Sequence, residues 1–133
     1  MFRRLLGQVM SGIAIIEDDA QMRSLLTEWL TAEGYRVNGV SGGHALARGP
    51  ADVVIVDVYM PRHLGVERLR SARADYPGMP IIAISGQFRP DVECAGPAAK
   101  ALGVERVIAK PFKREALLDA VRSLIGQPLV APH

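Results

Sequence analysis

Residues 53–57 have the sequence Val53-Val54-Ile55-Val56-Asp57, in which four β-branched apolar residues come directly before a carboxylate. With Asp52 before it, this run predicts a strand at residues 52–57 that is buried on both faces, which is typical of a parallel sheet covered by helices. A side chain at the end of such a strand lies at the carboxyl edge of the sheet, where open α/β folds place their chemistry. Asp57 is therefore the first candidate for a functional residue.

Three other apolar runs also end in charged or hydroxyl side chains. These runs and the residues that end them are 13–16 with Glu17, Asp18 and Asp19, 80–85 with Ser85, and 106–109 with Lys110. With a weaker strand at residues 35–40, five strands alternate with five predicted helices, which indicates a doubly wound α/β domain with right-handed crossovers. The alternation alone leaves the order of the strands open.

Apolar residues three and four positions apart predict the first, third and last of these helices. The first begins after Asp19, which can cap its first turn, and ends at Gly34. The fourth, at residues 91–102, contains Gly96-Pro97, which is expected to break or shift it. The other three are predicted around residues 45–47, 66–76 and 113–125. The apolar residues expected to face the core are Met22, Leu25, Leu26, Trp29 and Leu30 in the first helix, Val66, Leu69, Ala72 and Tyr76 in the third, and Leu117, Leu118, Val121, Leu124 and Ile125 in the last.

Length and composition indicate one globular domain. The chain has 133 residues, of which 49% are hydrophobic, and its net charge is only +2. Because acidic and basic residues are interspersed, the sequence shows no strong footprint of nucleic-acid or membrane binding. The single cysteine, Cys94, excludes an internal disulfide and suits a reducing cytoplasm. We expect a flexible leader at residues 1–10, a domain at residues 11–126 and a frayed tail at residues 127–133.

The polar residues at the strand ends together resemble the signature of the response regulator receiver domain of two-component signalling. The residues that carry the resemblance are Glu17-Asp18-Asp19, Asp57 with Met60-Pro61, Ser85, Lys110-Pro111-Phe112, Arg23 and Gly65. The resemblance covers about residues 11–126 and implies the flavodoxin-like strand order 2-1-3-4-5 of chemotaxis receivers. In that order the first and third strands are neighbours, so Glu17 and Asp18 would lie beside Asp57.

The resemblance also implies a phosphoryl-accepting site. Asp57 would be phosphorylated by attacking a phosphohistidine, Lys110 would neutralise charge on the phosphoryl group, and the Ser85 hydroxyl would bind one of its oxygens. The peptide bond before Pro111 would be cis. Such a domain is not an enzyme toward a separate substrate, but it assists its own phosphorylation and dephosphorylation.

A divalent metal ion is the only cofactor that the resemblance implies. Asp18, Asp57 and the Tyr59 carbonyl would bind Mg²⁺ directly, and Glu17 would act through water. Oxygen ligands without His or Cys favour Mg²⁺ or Mn²⁺ over zinc. Three carboxylates within contact distance also repel one another unless a cation lies between them.

A receiver that carries no output module of its own is expected to receive its signal from one protein and to pass it to another. We expect a sensor histidine kinase or a histidine phosphotransfer domain upstream, and a target protein or a second phosphotransfer domain downstream. We expect no contact with nucleic acid or with a membrane, and the sequence leaves homodimerisation open. The chain is interpreted as a stand-alone, single-domain receiver.

Val107 departs from the pattern of the family. It stands three residues before Lys110, where receivers commonly carry an aromatic ring that moves when the strand-four hydroxyl binds the phosphoryl group. Valine has no ring that could move in this way. The segment between Ser85 and Lys110 is also longer than usual.

Other charged residues near the predicted site have simpler interpretations. Asp19 is interpreted as a helix cap rather than a metal ligand, and His63 as a surface histidine. The arginines at positions 62, 68, 70 and 73 are interpreted as a solvated helix face rather than a docking surface.

Two alternative functions remain open. A phosphorylation-independent adaptor would keep the receiver fold without using Asp57, and Val107 favours this alternative mildly. An aspartate-nucleophile phosphatase of the haloacid-dehalogenase type would need a second acid two residues after Asp57, where Tyr59 stands. A dinucleotide-binding role is disfavoured because no glycine-rich loop follows the first strand.

Overall fold

The computed structural model of the protein describes residues 12–40, 51–58 and 62–128. Within these ranges the chain forms five strands and four helices. In chain order they are β1 (Gly12–Ile16), α1 (Ala20–Ala32), β2 (Arg36–Val40), β3 (Val53–Asp57), α2 (Arg62–Asp75), β4 (Ile81–Ser85), α3 (Pro97–Leu102), β5 (Arg106–Ala109) and α4 (Arg114–Ile125). The predicted leader, the predicted helix around residues 45–47, Tyr59 and residues 129–133 lie outside the described residues.

The five strands form one parallel sheet in the order β2-β1-β3-β4-β5. Ile16 of β1 pairs with Val56, Asp57 of β3 pairs with Ile84, and Ser85 of β4 pairs with Ala109. The strand order implied by the family resemblance is thus confirmed. Because all strands run in the same direction, the residues that follow β1, β3, β4 and β5 meet at one edge of the sheet.

Each face of the sheet is covered by helices, and this is why the central strands are continuously apolar. All residues of β1, β3 and β4 are buried. Successive strand side chains point to opposite faces, so two core clusters form. Residues such as Ile13, Ile15 and Ile55 pack with α1 and α4, whereas the alternate residues pack with α2 and α3.

The start of α1 is fixed by the side chain of Asp19. Its Oδ1 accepts hydrogen bonds from the backbone N–H groups of Gln21 at 2.9 Å and Met22 at 3.2 Å. These bonds satisfy two of the amides that the first turn of a helix leaves unpaired. At the other end Gly34 has a φ of 105°, which suits glycine. The predicted cap and the predicted end of this helix are both confirmed.

The helix predicted at residues 91–102 is shorter than the sequence suggested. It begins at Pro97, after Gly96 in an extended conformation, and residues 91–96 form turns instead. Proline fits the first turn of a helix because the amide it lacks would have no partner there. The break expected at Gly96-Pro97 is therefore the actual start of α3.

Two residues predicted to face the core are exposed. Leu25 is 37% exposed and Val66 is 44% exposed. In α1 the buried Leu26 and Leu30 define the inward face, and Leu25 lies one position off that face. In α2 the buried Gly65 precedes Leu69 by four residues, so Gly65 rather than Val66 occupies the inward position.

Trp29 is only partly buried, although the sequence places it on the inward face. It packs against the core and meets Phe112 edge to face, with ring centroids 6.2 Å apart. None of the helices in the part of the chain that the structure describes is long and apolar enough to cross a membrane.

Candidate functional site

Asp57 ends β3 at the carboxyl edge of the sheet and is 6% exposed. The following backbone amide, that of Val58, donates to the Ile84 carbonyl at 2.8 Å and continues the pairing of β3 with β4. The strand ladder therefore fixes the backbone on both sides of this carboxylate. An ionised carboxylate this deeply buried requires a cationic partner.

Lys110 supplies that partner from the end of β5. Its Nζ lies 3.1 Å from Asp57 Oδ1 and 3.3 Å from Glu17 Oε1. Its backbone amide donates to the Ser85 carbonyl at 2.9 Å, and the peptide bond to Pro111 is cis, as predicted. One ammonium thus joins carboxylates delivered by β1 and β3.

The pKa of the Lys110 ammonium is raised above its ordinary value. Burial by itself lowers this pKa, but the hydrogen bond and charge of Asp57, together with the charge and hydrogen bond of Glu17, outweigh that effect. Lys110 is therefore fully charged at neutral pH, and it neutralises one of its two carboxylate partners.

Glu17 is 1% exposed and follows β1 directly. Burial, aided by the charge of Asp57, raises its pKa, and the backbone hydrogen bond from Asp19 and the charge of Lys110 oppose this. The Asp19 amide donates to Glu17 Oε2 at 3.1 Å. Two buried carboxyl groups share one lysine here, so the ammonium can compensate the charge of only one of them when both are ionised.

Arg23 of α1 holds the backbone of the acidic loop. Its Nη1 donates to the Glu17 carbonyl at 2.6 Å and to the Asp18 carbonyl at 3.5 Å. The guanidinium therefore ties the loop after β1 to the first turns of α1. This contact gives a physical reason for an arginine at the position that the family resemblance singled out.

Asp18 interacts with α2. Its Oδ2 lies 2.6 Å from Nη2 of Arg68, and Nη1 of Arg68 lies 3.5 Å from the Asp57 carbonyl oxygen. The Arg68 side chain is 9% exposed. The interpretation of this arginine as part of a solvated helix face is therefore wrong, because its guanidinium is drawn to the acidic edge of the sheet.

Ser85, which ends β4, and Val107, which lies within β5, are both buried. Ser85 Oγ accepts a hydrogen bond from the Gln87 amide at 3.0 Å, so its own hydrogen can be donated to another oxygen. The Val107 amide donates to the Cys94 carbonyl at 2.8 Å and links β5 to the turns before α3.

The site residues predicted from the sequence thus fall into two groups according to their contacts in the structure. Glu17, Asp57 and Lys110 form one ion-paired cluster, and Ser85 adjoins it through the backbone of Lys110. Asp18 pairs with Arg68, a residue that sequence analysis did not assign to the site. Tyr59 lies outside the described residues.

The donor set is suited to a hard divalent cation. Within residues 12–40, 51–58 and 62–128, no three acidic, histidine or cysteine side chains are already arranged around a metal position. The acidic side chains at this edge nevertheless offer only oxygen donors, and the two buried carboxylates exceed the positive charge of Lys110. Mg²⁺ or Mn²⁺ matches both the donor chemistry and the missing charge.

Comparison with known proteins gives the same family. The family model of the response regulator receiver domain matches residues 13–122. The regulatory protein VirG of Agrobacterium fabrum is 35% identical over 133 residues, which cover 96% of this chain and 51% of VirG. The transcriptional regulatory protein CusR of Escherichia coli is 31% identical over 117 residues, which cover 85% of this chain and 50% of CusR. The chain thus spans about half the length of these curated relatives.

Solved structures agree with the family assignment. The chemotaxis protein CheY4 of Vibrio cholerae superposes with a TM-score of 0.69 at 28% identity, covering 86% of this chain and 98% of CheY4. The response regulator TrrA of Thermotoga maritima, solved in complex with Mg²⁺ and BeF, gives a TM-score of 0.66 at 28% identity, covering 86% and 99% of the two chains. On its sequence match, its strand order and these structural neighbours, the chain belongs to the response regulator receiver domain family of two-component signalling.

Proposed function

We propose that Asp57 accepts a phosphoryl group from a phosphohistidine on a sensor kinase or a histidine phosphotransfer domain in the cytoplasm. The observation that carries the proposal is the contact of the buried Asp57 carboxylate with Lys110 at 3.1 Å, at the edge of the sheet where the strand ends converge. Asp57 is also the acid at the end of the third strand, which is the position that receivers phosphorylate.

In the proposed transfer, an oxygen of Asp57 forms a bond to phosphorus while the bond from phosphorus to the histidine nitrogen breaks. Lys110 holds Oδ1, so attack by Oδ2 leaves this ion pair in place. The ammonium then lies close enough to compensate charge on the phosphoryl oxygens. Catalysis of this kind consists mainly of positioning and charge compensation.

Ser85 is proposed to bind the transferred group. Its hydroxyl oxygen accepts from the Gln87 amide, which orients the hydroxyl and leaves its hydrogen for donation to a phosphoryl oxygen. Ser85 pairs with Ala109 in the sheet, next to Lys110 in sequence, so both donors would approach the phosphoryl group from neighbouring strands.

A divalent ion is proposed to complete the site. Asp18, Asp57 and the Tyr59 carbonyl would hold Mg²⁺, or alternatively Mn²⁺, with Glu17 acting through water. When bound, the ion supplies positive charge to the transferring phosphoryl group. The relative solved with Mg²⁺ and BeF supports this assignment, as does the excess of buried carboxylate over lysine at the sheet edge.

The proposed output is a change in a protein contact or the passing of the phosphoryl group to a second phosphotransfer domain. CusR is by name a transcriptional regulator, but only half of its length matches this chain. We therefore assign no contact with nucleic acid or with a membrane to the receiver itself. Homodimerisation would be one form of the protein contact.

Binding of beryllofluoride tests the proposed site without a kinase. Two-dimensional amide NMR spectra of the wild-type chain should change on adding beryllofluoride with Mg²⁺, most strongly near residues 57, 85 and 110. Asp57→Asn should show no such change, whereas Asp91→Asn, at an exposed carboxylate, should respond as the wild type does. An equal response from Asp57→Asn would contradict the assignment, and no response from any variant would favour a phosphorylation-independent adaptor.

A further inference from the structure

Arg68 connects the acidic loop after β1 with the end of β3. From α2 its guanidinium reaches the Asp18 carboxylate at 2.6 Å and the Asp57 backbone carbonyl at 3.5 Å. The arginine side chain is 9% exposed, whereas the Asp18 side chain is 44% exposed. The arginine is thus held at the sheet edge, and the aspartate is partly exposed to solvent.

The charges at this edge show what the arginine does. Lys110 contacts both Glu17 and Asp57, and Arg68 contacts Asp18. In the part of the chain that the structure describes, these contacts place two cations against three carboxylates. Arg68 supplies in this arrangement part of the positive charge that a divalent ion would bring.

We propose that Arg68 is an internal counter-ion that competes with Mg²⁺ for the carboxylate of Asp18. The inference rests on the proposed function, in which Asp18 is a direct metal ligand. The ion pair keeps Asp18 compensated when no metal is bound, and a divalent ion must weaken it in order to bind. Arg68 thereby sets the Mg²⁺ concentration at which the site becomes ready for phosphorylation.

Electrostatics favours competition over assistance. A guanidinium in contact with one oxygen of Asp18 would lie only a few ångströms from a dication bound to the same carboxylate, and the two cations repel each other. Arginine does not lose its proton in proteins. Metal binding must therefore either move the guanidinium away from Asp18 or occur with a weaker affinity because the repulsion persists.

The test is a titration of the full chain with MgCl₂ by isothermal calorimetry, repeated with Mn²⁺ by electron paramagnetic resonance. Arg68→Met removes the charge and keeps much of the side-chain length. Arg70→Met is the matched control, since Arg70 carries the same charge on the same helix but pairs with Glu67 at the surface. Arg68→Met should bind the metal about fivefold more tightly, as expected for loss of one partly exposed ion pair, and Arg70→Met should bind as the wild type does.

Thermal unfolding gives a second readout that needs no phosphorylation. Without metal, Arg68→Met should melt at a lower temperature than the wild type, and Mg²⁺ should raise its melting temperature more. Arg68→Lys, which keeps the charge on a shorter and non-forked side chain, should bind Mg²⁺ with an affinity between those of Arg68→Met and the wild type. This variant keeps the test decisive if Arg68→Met does not fold.

The outcomes separate this inference from the proposed function. If the wild type binds Mg²⁺ and neither change at residue 68 tightens binding, competition is refuted while the metal site stands. In an Asp18→Asn background, Arg68→Met should no longer alter metal binding, and a persisting effect would also refute the inference. If no variant binds the metal, the metal assignment itself fails, and the competition fails with it.

Discussion

The Lys110 ammonium lies within 3.3 Å of carboxylate oxygens of both Glu17 and Asp57, although the three residues stand at the ends of three different strands, β5, β1 and β3. Asp57 ends the central strand β3, which lies between β1 and β4, and Lys110 reaches it from β5 at the outer edge. The side chain of Lys110 therefore spans β4, whose terminal residue is Ser85. This geometry brings two carboxylates, an ammonium and a hydroxyl to one edge of the sheet.

Replacing Lys110 should slow phosphorylation. Lys110→Met leaves the buried Asp57 and Glu17 carboxylates without their shared cation, so phosphoryl transfer from a small-molecule donor should slow by about a hundredfold, as for loss of a preorganised electrostatic group. Lys113→Met, at an exposed lysine that precedes α4, is the control. Phosphorylation rates can be measured by stopped-flow or quenched-flow assays. Equal rates for the two variants would contradict the proposed role of Lys110 in compensating the charge of the phosphoryl group.

The raised pKa of Glu17 makes a specific prediction about pH. A carboxyl whose pKa is higher in the folded state than its ordinary 4.5 binds its proton more tightly in the folded chain. The stability that protonated Glu17 contributes is therefore fully present below pH 4.5. It is lost as the pH rises through the pKa that Glu17 has in the folded chain. The free energies of unfolding of Glu17→Gln and of the wild type can be measured with urea. The value for Glu17→Gln minus the value for the wild type should increase as the pH rises above 4.5.

The control for this prediction lies in the neighbouring acid. The charge of Asp57 raises the pKa of Glu17, after the larger effect of burial. NMR titration should therefore find a lower Glu17 pKa in Asp57→Asn than in the wild type. A constant difference in unfolding free energy across pH 4 to 7 would show that Glu17 is not perturbed as described.

Ser85 should matter for its hydroxyl group rather than its volume. Ser85→Ala removes the proposed donor to the phosphoryl group and leaves the Gln87 amide without its acceptor. We expect phosphorylation to slow about tenfold or more and the free energy of unfolding to fall by about 1 kcal/mol. Ser85→Thr retains the hydroxyl and should preserve most of the rate, so equal defects in both variants would exclude the proposed donor role.

Val107 should contribute to packing rather than to the chemistry. Because it is buried in the core, Val107→Ala should lower the free energy of unfolding by about 2 kcal/mol. Phosphorylation of Asp57 should stay within about twofold of the wild-type rate, since the valine side chain packs in the apolar cluster that faces α2 and α3. A large loss of phosphorylation without loss of stability would indicate instead that Val107 takes part in the phosphorylation of Asp57.

The strands were predictable because the sheet is covered on both faces. Burial on two sides requires continuous apolar runs, and the observed bounds of the strands differ by at most one residue from those inferred from the sequence. The helix faces were less predictable. Leu25 and Val66 fit the three-and-four spacing, but the spacing does not determine where the apolar face ends.

Part of the site was predictable because the strands were. A polar side chain at the end of a buried strand is rarely needed for packing, so it indicates a functional role. The contact of Lys110 with Asp57 and Glu17 follows from the strand order. Arg68 was not predictable, because an arginine beside other arginines on a helix usually faces solvent. Its position immediately before the inward Leu69 was a signal, but only the packing of α2 beside the loop after β1 shows what it contacts.

Intact-mass spectrometry of the chain after incubation with a small phosphodonor tests the central claim most directly. With Mg²⁺ present, the wild-type protein should gain the mass of one phosphoryl group, and peptide mapping should place it on residue 57. The gain should be absent from Asp57→Asn and strongly reduced when EDTA replaces Mg²⁺. A wild-type chain that gains no phosphoryl group from any donor, or an Asp57→Asn chain that gains one equally, would contradict the account.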